Sequence, residues 1–296
     1  MVCVKVKNLY PKFTRFSNVA LGLIGILALG IPPATAINVG VTPPRIELKL
    51  DGGKTRSQSI RVFNPASEPI EIKAYVRSWT MSEDNRLQDI DSSEQSLDKW
   101  IVFTPSRFTI PARGSQTFRF SVRPKVQPQP GESRAVVYFE EILPVDPNVK
   151  GIRITGRIGV VIYGYVGDIK RVGVVNSVTV DTKPKTPQAI FDISSQGNGY
   201  VRLAGQYSIW NADKYPGAEA TKSIANLGKP DAKLPAAVVE AGLLPDAPVL
   251  PNNRRQIKLP INKTLPPGNY VLDINGKLSG TPIDQGIPFT IPSVSK

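Results

Sequence analysis

Ser96-Leu97-Asp98-Lys99 has the S-x-x-K spacing that sets a lysine beside a nucleophilic serine in acyl-transfer enzymes. It lies in a polar stretch with no companion motif and no strong helix to bring the two side chains together. Glu140 and Glu141 are adjacent carboxylates, but neighbours on a strand point to opposite faces and cannot flank one scissile bond. The acidic run Glu83, Asp84, Asp89, Asp91, Glu94 and Asp98 lacks the glycine and closing glutamate of a calcium loop. The chain has no histidine, and its one cysteine, Cys3, lies in an N-terminal leader expected to be removed. Imidazole acid/base work, thiol nucleophiles, His or Cys metal sites and disulfides therefore drop out together. No glycine-rich phosphate loop is present. The residues point away from an enzyme, a metal or a cofactor and toward binding.

The first 36 residues read as a cleaved signal peptide. Lys5, Lys7, Lys12 and Arg15 precede an apolar run from Val19 to Ile31, and Ala34-Thr35-Ala36 is a small-x-small cleavage site. The run is shorter than the roughly 20 residues a spanning helix needs. Export to the periplasm without stable membrane insertion is the expectation. About 260 mature residues can build two cores without disulfide staples. Removing the four leader cations takes the formal net charge from +13 to +9. The cations are scattered at strand spacing, so most read as a solvated basic surface. No aromatic stacking platform accompanies them, which argues against nucleic acid.

Apolar residues recur at period two from the mature start onward, so the fold class is all-β. Val39 to Leu50 predicts a first strand interrupted by Pro43-Pro44, followed by strands at Ile60 to Val62 and Ile70 to Trp79. Thr80 to Lys99 is expected to be a solvated loop joining two sheets. Strands follow near Trp100, at Phe118 to Val122 and at Arg134 to Leu143. Along the last, Ile152 to Gly164, one parity is apolar or absent throughout, while the other turns from Arg153 and Arg157 to Val161, Tyr163 and Tyr165. One face should be buried along its whole length and the other covered only late, where a second domain packs. Seven strands and one long loop match an immunoglobulin-like sandwich. Residues 167–296 restart the pattern, with a stretch rich in Pro, Ala and Gly from Asn211 to Asn253 and a helix near Ala236 to Ala241. Ile110-Pro111, Gln116 and Pro130-Gly131 are echoed by Leu250-Pro251, Gln256 and Pro267-Gly268, which suggests a second sandwich. The domains are thus 1–36, 37–166 and 167–296.

Arg107-Phe108-Thr109-Ile110-Pro111, Gly114, Gln116 with Arg119, and Gly131-Glu132-Ser133-Arg134 leading to Tyr138-Phe139-Glu140-Glu141-Ile142 stand in an order that resembles the PapD-like periplasmic chaperones of pilus and fimbria assembly. Val41-Thr42-Pro43-Pro44-Arg45-Ile46 is similar to that family's first strand. The resemblance covers 37–166 well and 167–296 only in layout. It implies two immunoglobulin-like β-sandwich domains in a boomerang. It also implies a chaperone that caps an exported pilus- or fimbria-type subunit with an incomplete sandwich, and an outer-membrane assembly platform as a further partner. Such a chaperone lends a β-strand and anchors the subunit's terminal carboxylate with two basic residues.

Mapped onto this chain, the donor parity falls on Ile152, Ile154 and Ile158, and the first anchor on Arg45. The family's second anchor, a lysine, aligns with Gly159, and Arg157 on the same face is the substitute. By residue type alone, the isoleucines are also ordinary core side chains and the arginines ordinary solvated charges. A structural or adhesive protein with tandem sandwiches as spacers remains the alternative at this point.

Overall fold

Alternation of apolar and polar residues folds this chain into strands that bury one face each. The computed structural model describes residues 39–50, 54–82, 86–143, 156–183 and 186–293. Two immunoglobulin-like sandwiches are built in chain order. In the first, one sheet runs β1 (Gly40–Thr42), β3 (Arg56–Phe63), β8 (Ser115–Val122), β6 (Ile101–Phe103). The facing sheet runs β2 (Arg45–Lys49), β10 (Arg157–Val166), β9 (Gly131–Ile142), β4 (Ile70–Met81), β5 (Leu87–Ile90), with β7 (Arg107–Ile110) also pairing β4. The expected first strand is thus two strands in different sheets. Pro43-Pro44 marks the crossing, because proline cannot continue a ladder.

The core between these sheets holds Ile60, Ile72, Trp100, Phe118, Phe139 and Ile162, among others. Phe118 meets Phe139 edge-on at 5.1 Å between centroids, a geometry that suits the ring quadrupoles. The stretch from Thr80 to Lys99 is not the solvated loop its polarity suggests. β4 continues to Met81 and pairs with β5, and a one-turn helix, α1 (Leu97–Trp100), follows. Leu97 and Trp100 of that turn are buried, and the Trp100 indole donates to the Glu94 carbonyl at 2.9 Å. Two apolar side chains outweigh the surrounding acids.

The second sandwich packs the sheet β11 (Gly173–Asp181), β12 (Gln188–Ser195), β16 (Arg254–Pro260) on the sheet β14 (Val238–Leu243), β13 (Val201–Asn211), β17 (Gly268–Leu278), β18 (Thr281–Ile291), with β15 (Pro248–Val249) on β13. Its core includes Phe191, Ile209, Leu272 and Ile274. The helix expected near Ala236 to Ala241 is strand β14, because pairing with β13 overrides a local alanine preference. The sequence echo corresponds to equivalent strands: Gly131 and Gly268 open β9 and β17, and Arg113 and Asn252 take positive φ in the turns before β8 and β16.

Asp192 in β12 accepts two hydrogen bonds from Arg254, at 2.8 and 2.7 Å, beside a cleft of about 530 Å³ that also touches Met81. The Arg254 guanidinium holds its carboxyl down at about 2. A carboxyl lowered in the folded state stabilises above its unfolded value and loses that contribution as pH falls through the folded one. The stability difference between the natural chain and Asp192→Asn, read from urea midpoints, should therefore be constant above pH ~5 and shrink from there toward pH ~1. A difference unchanged over that interval contradicts the pairing.

Candidate cleft and open strand edge

β10 has two faces with different partners. Its even residues face the first core, with Val160 and Ile162 buried and Ile158 half-buried against it. Its odd residues face a third apolar cluster: Trp79, Val136, Tyr138, Tyr163 and Tyr165 from the first sandwich with Tyr200 and Leu250 from the second. The late turn to apolar residues at Val161, Tyr163 and Tyr165 is where the second sandwich packs. Trp79 belongs to this cluster and not between the sheets, because its parity on β4 is that of the outward-facing Tyr75 and Arg77.

A polar frame holds the joint. Tyr163 lies 4.5 Å from Tyr200 between centroids, and Arg202 donates to the Tyr163 hydroxyl at 3.2 Å. Burial pushes the Tyr163 phenol up to about 12, against the opposing pull of Arg202. Glu132 accepts the Tyr200 backbone N–H at 2.8 Å and pairs with Arg134 at 2.9 Å. Burial nonetheless raises its carboxyl above the usual range. Glu47 accepts from the hydroxyls of Tyr165 (3.1 Å) and Tyr200 (2.5 Å).

Arg45 opens β2 with its guanidinium 3.3 Å from Glu47 and 3.5 Å from Asp246. Arg157 opens β10; it lies over the Tyr138 ring at 4.0 Å, donates to the Tyr75 hydroxyl at 3.1 Å and pairs with Asp89 at 3.6 Å. The structure puts both on the cleft side but does not bring them together. Arg45 is registered with Val161, four residues along β10 from Arg157, which separates them by about 13 Å. Gly159 has a packing reason: a Cβ there would meet Val136 Cγ2 at 2.7 Å and the Tyr138 ring at 3.2 Å. Its bareness lets Tyr138 lie across β10 and carry Arg157. Ile152 and Ile154 lie outside the described residues.

The first turn of β10 has an open side. Glu141 N–H donates to the Gly156 carbonyl (3.3 Å), and Val161 N–H donates to the Pro44 carbonyl (3.3 Å). Even residues therefore direct their backbone groups to β9 and odd ones toward β2, since successive residues of a ladder point opposite ways. β2 reaches only to Val161, because the chain before it leaves for the other sheet as β1. Among the described residues no strand pairs with β10 on that side ahead of Val161, so the N–H and C=O of Arg157 and Gly159 form an unpaired edge. Sequence reasoning singled out Arg157 but missed Glu47, Tyr200 and Arg202; the parity change at Val161 was the available signal. Among the described residues no cluster of His, Cys, Asp or Glu could hold a metal ion, and no helix is long and apolar enough to cross a membrane.

No family model matches the sequence, and no curated protein matches it. Several solved structures are similar. The class 5 fimbriae chaperone CfaA is 17% identical, with a TM-score of 0.40, covering 87% of this chain and 100% of that one. The YadV chaperone is 11% identical, with a TM-score of 0.43, covering 86% and 100%. A chaperone–tip subunit complex of the Csu pili of Acinetobacter baumannii, CsuC with CsuE, is 13% identical, with a TM-score of 0.40, covering 84% and 97%.

Proposed function

We propose that this protein is an exported periplasmic chaperone that caps a pilus- or fimbria-type subunit by strand addition. The observation that carries the reading is the open edge at Arg157 and Gly159, continuous with the apolar parity of Ile152 and Ile154 upstream. An incomplete sandwich presents an apolar groove flanked by an unpaired strand. An extended donor supplies main-chain hydrogen bonds to that strand and fills pockets with alternate side chains. On this reading Ile152 and Ile154 enter the subunit, and Ile158 marks where the same parity returns to the protein's own core. Residues 37–166 carry the subunit and 167–296 close the cleft. A terminal carboxylate from the subunit takes the place of Asp89 at Arg157 or of Asp246 at Arg45, both reached from solvent. An outer-membrane assembly platform is the further partner of such a complex.

A mild pull-down from periplasmic extract, with captured subunits identified by peptide mass, tests this with Arg157→Ala and Arg157→Pro. Proline is tolerated where the N–H faces away from the sheet, so the fold should survive. The proline variant also removes one edge donor, worth about 1 kcal/mol, and should recover about fivefold less subunit than the alanine variant. Equal recovery by both variants would remove the support of the open edge. Retention of the protein on the cell surface, without any subunit, would favour the spacer role.

A further inference from the structure

The outer face of the sheet β1-β3-β8-β6, on the far side of the first core from the cleft, is basic and rich in hydroxyls. Its outward side chains include Ser57, Ser59 and Arg61 of β3 and Ser115, Thr117 and Arg119 of β8. Strand register sets Arg61 opposite Thr117 and Ser59 opposite Arg119, so the two guanidiniums are diagonal neighbours. Arg113 and Arg123 stand exposed in the turns at either end of β8. None of the four strands contains Asp or Glu.

The contrast with the cleft side is sharp. Arg45, Arg134, Arg157, Arg171 and Arg202 each pair with a carboxylate. Among the described residues Arg61, Arg113, Arg119 and Arg123 pair with none. Arg61 instead donates through Nε to the Ser115 hydroxyl at 3.1 Å, which leaves the rest of its fork for another acceptor. Like charges this close repel, and an anion bound across them would relieve the repulsion. Two apolar side chains project from the same face at its margins: Phe63, over Gly40, 38% exposed, and Val102 of edge strand β6, 48% exposed.

We propose that this face is a docking surface for an anionic phospholipid bilayer. Guanidinium forks and serine hydroxyls match phosphate oxygens, and apolar tips at the margins of the basic field reach the acyl boundary. A protein partner would call for a central pocket with aromatic anchors, whereas the middle of this sheet is Ser, Thr and Arg. The inference is independent of strand donation, which uses the opposite sheet.

Co-sedimentation of the full mature chain with vesicles tests it. Binding is expected to vesicles containing phosphatidylglycerol and not to phosphatidylcholine alone, and should weaken as salt is raised. Each cation near such a surface contributes about fivefold, so Arg61→Ser with Arg119→Ser should weaken binding roughly thirtyfold. The charge-matched control, Lys222→Ser with Lys229→Ser in the second sandwich, should leave it within about twofold. Equal losses in both variants would mean a net-charge effect and overturn the assignment. So would an absence of vesicle binding, including the case where the face binds poly-glutamate instead and serves an acidic protein.

Discussion

A chain carrying Ile154→Asp should recover less than about one-hundredth of the subunit that the natural chain recovers. On the strand-donation reading, Ile154 enters an apolar groove in which no cation waits. An uncompensated buried charge costs about 3–5 kcal/mol, more than a hundredfold in affinity. Ile152→Asp should behave alike. Thr155→Asp, on the other parity of the strand, should change recovery by no more than a few-fold. The measurement is subunit yield per mole of chaperone after co-expression and mild purification. If both parities respond equally, side chains do not enter the partner alternately and strand addition is wrong. Loss at Ile154 and Ile152 with sparing of Thr155 is the expected pattern.

Trp79→Ala should cost about 3–5 kcal/mol of stability, as large aromatic truncations in well-packed sites do. Trp79 is 2% exposed, donates from its indole to the Ala135 carbonyl at 3.1 Å and meets Tyr163 edge-on at 5.8 Å. The alanine variant leaves a cavity and loses the indole's hydrogen bond to a carbonyl that the ladder to Ile162 still pairs. Because Tyr163 also packs on Tyr200, the loss should reach the second sandwich through the joint. In denaturant unfolding followed by tryptophan emission and by far-ultraviolet circular dichroism, both signals should shift to lower midpoints. A shift below about 1 kcal/mol would mean that the cleft face of β4 is not the packed joint described above.

The two covered faces of β9 explain why the molecule can hold a firm joint and an open edge on the neighbouring strand. β9 is covered on both faces: Val137 and Phe139 face the first core while Val136 and Tyr138 face the cleft. β10 borrows that support along its whole length, so its side at Arg157 and Gly159, which no strand among the described residues pairs, is held extended. A pre-extended edge binds a second chain with less ordering cost than a loop would.

Much of this was legible in the residues alone. Period-two alternation fixes an all-β chain, since a strand with one buried face must alternate, and the change at Val161 marks where a second body covers the other face. The lack of histidine, with Cys3 the one cysteine, narrows the chemistry from the sequence alone. Other features were not legible, for physical reasons. Polarity hid β5 and α1, because two buried side chains, Leu97 and Trp100, decide that segment against its many acids. Composition favoured a helix at Ala236 to Ala241, yet the ladder to β13 makes it a strand. Arg61 and Arg119 stand 58 positions apart in the chain and look like scattered surface charge. Only the pairing of β3 with β8 makes them neighbours, and only the crossing from β1 to β2 leaves β10 with an unpaired edge. Sequence set each strand's inward and outward side chains because that depends on nearest neighbours along the backbone. Which strands lie side by side depends on contacts between distant segments, and there the tertiary structure decided.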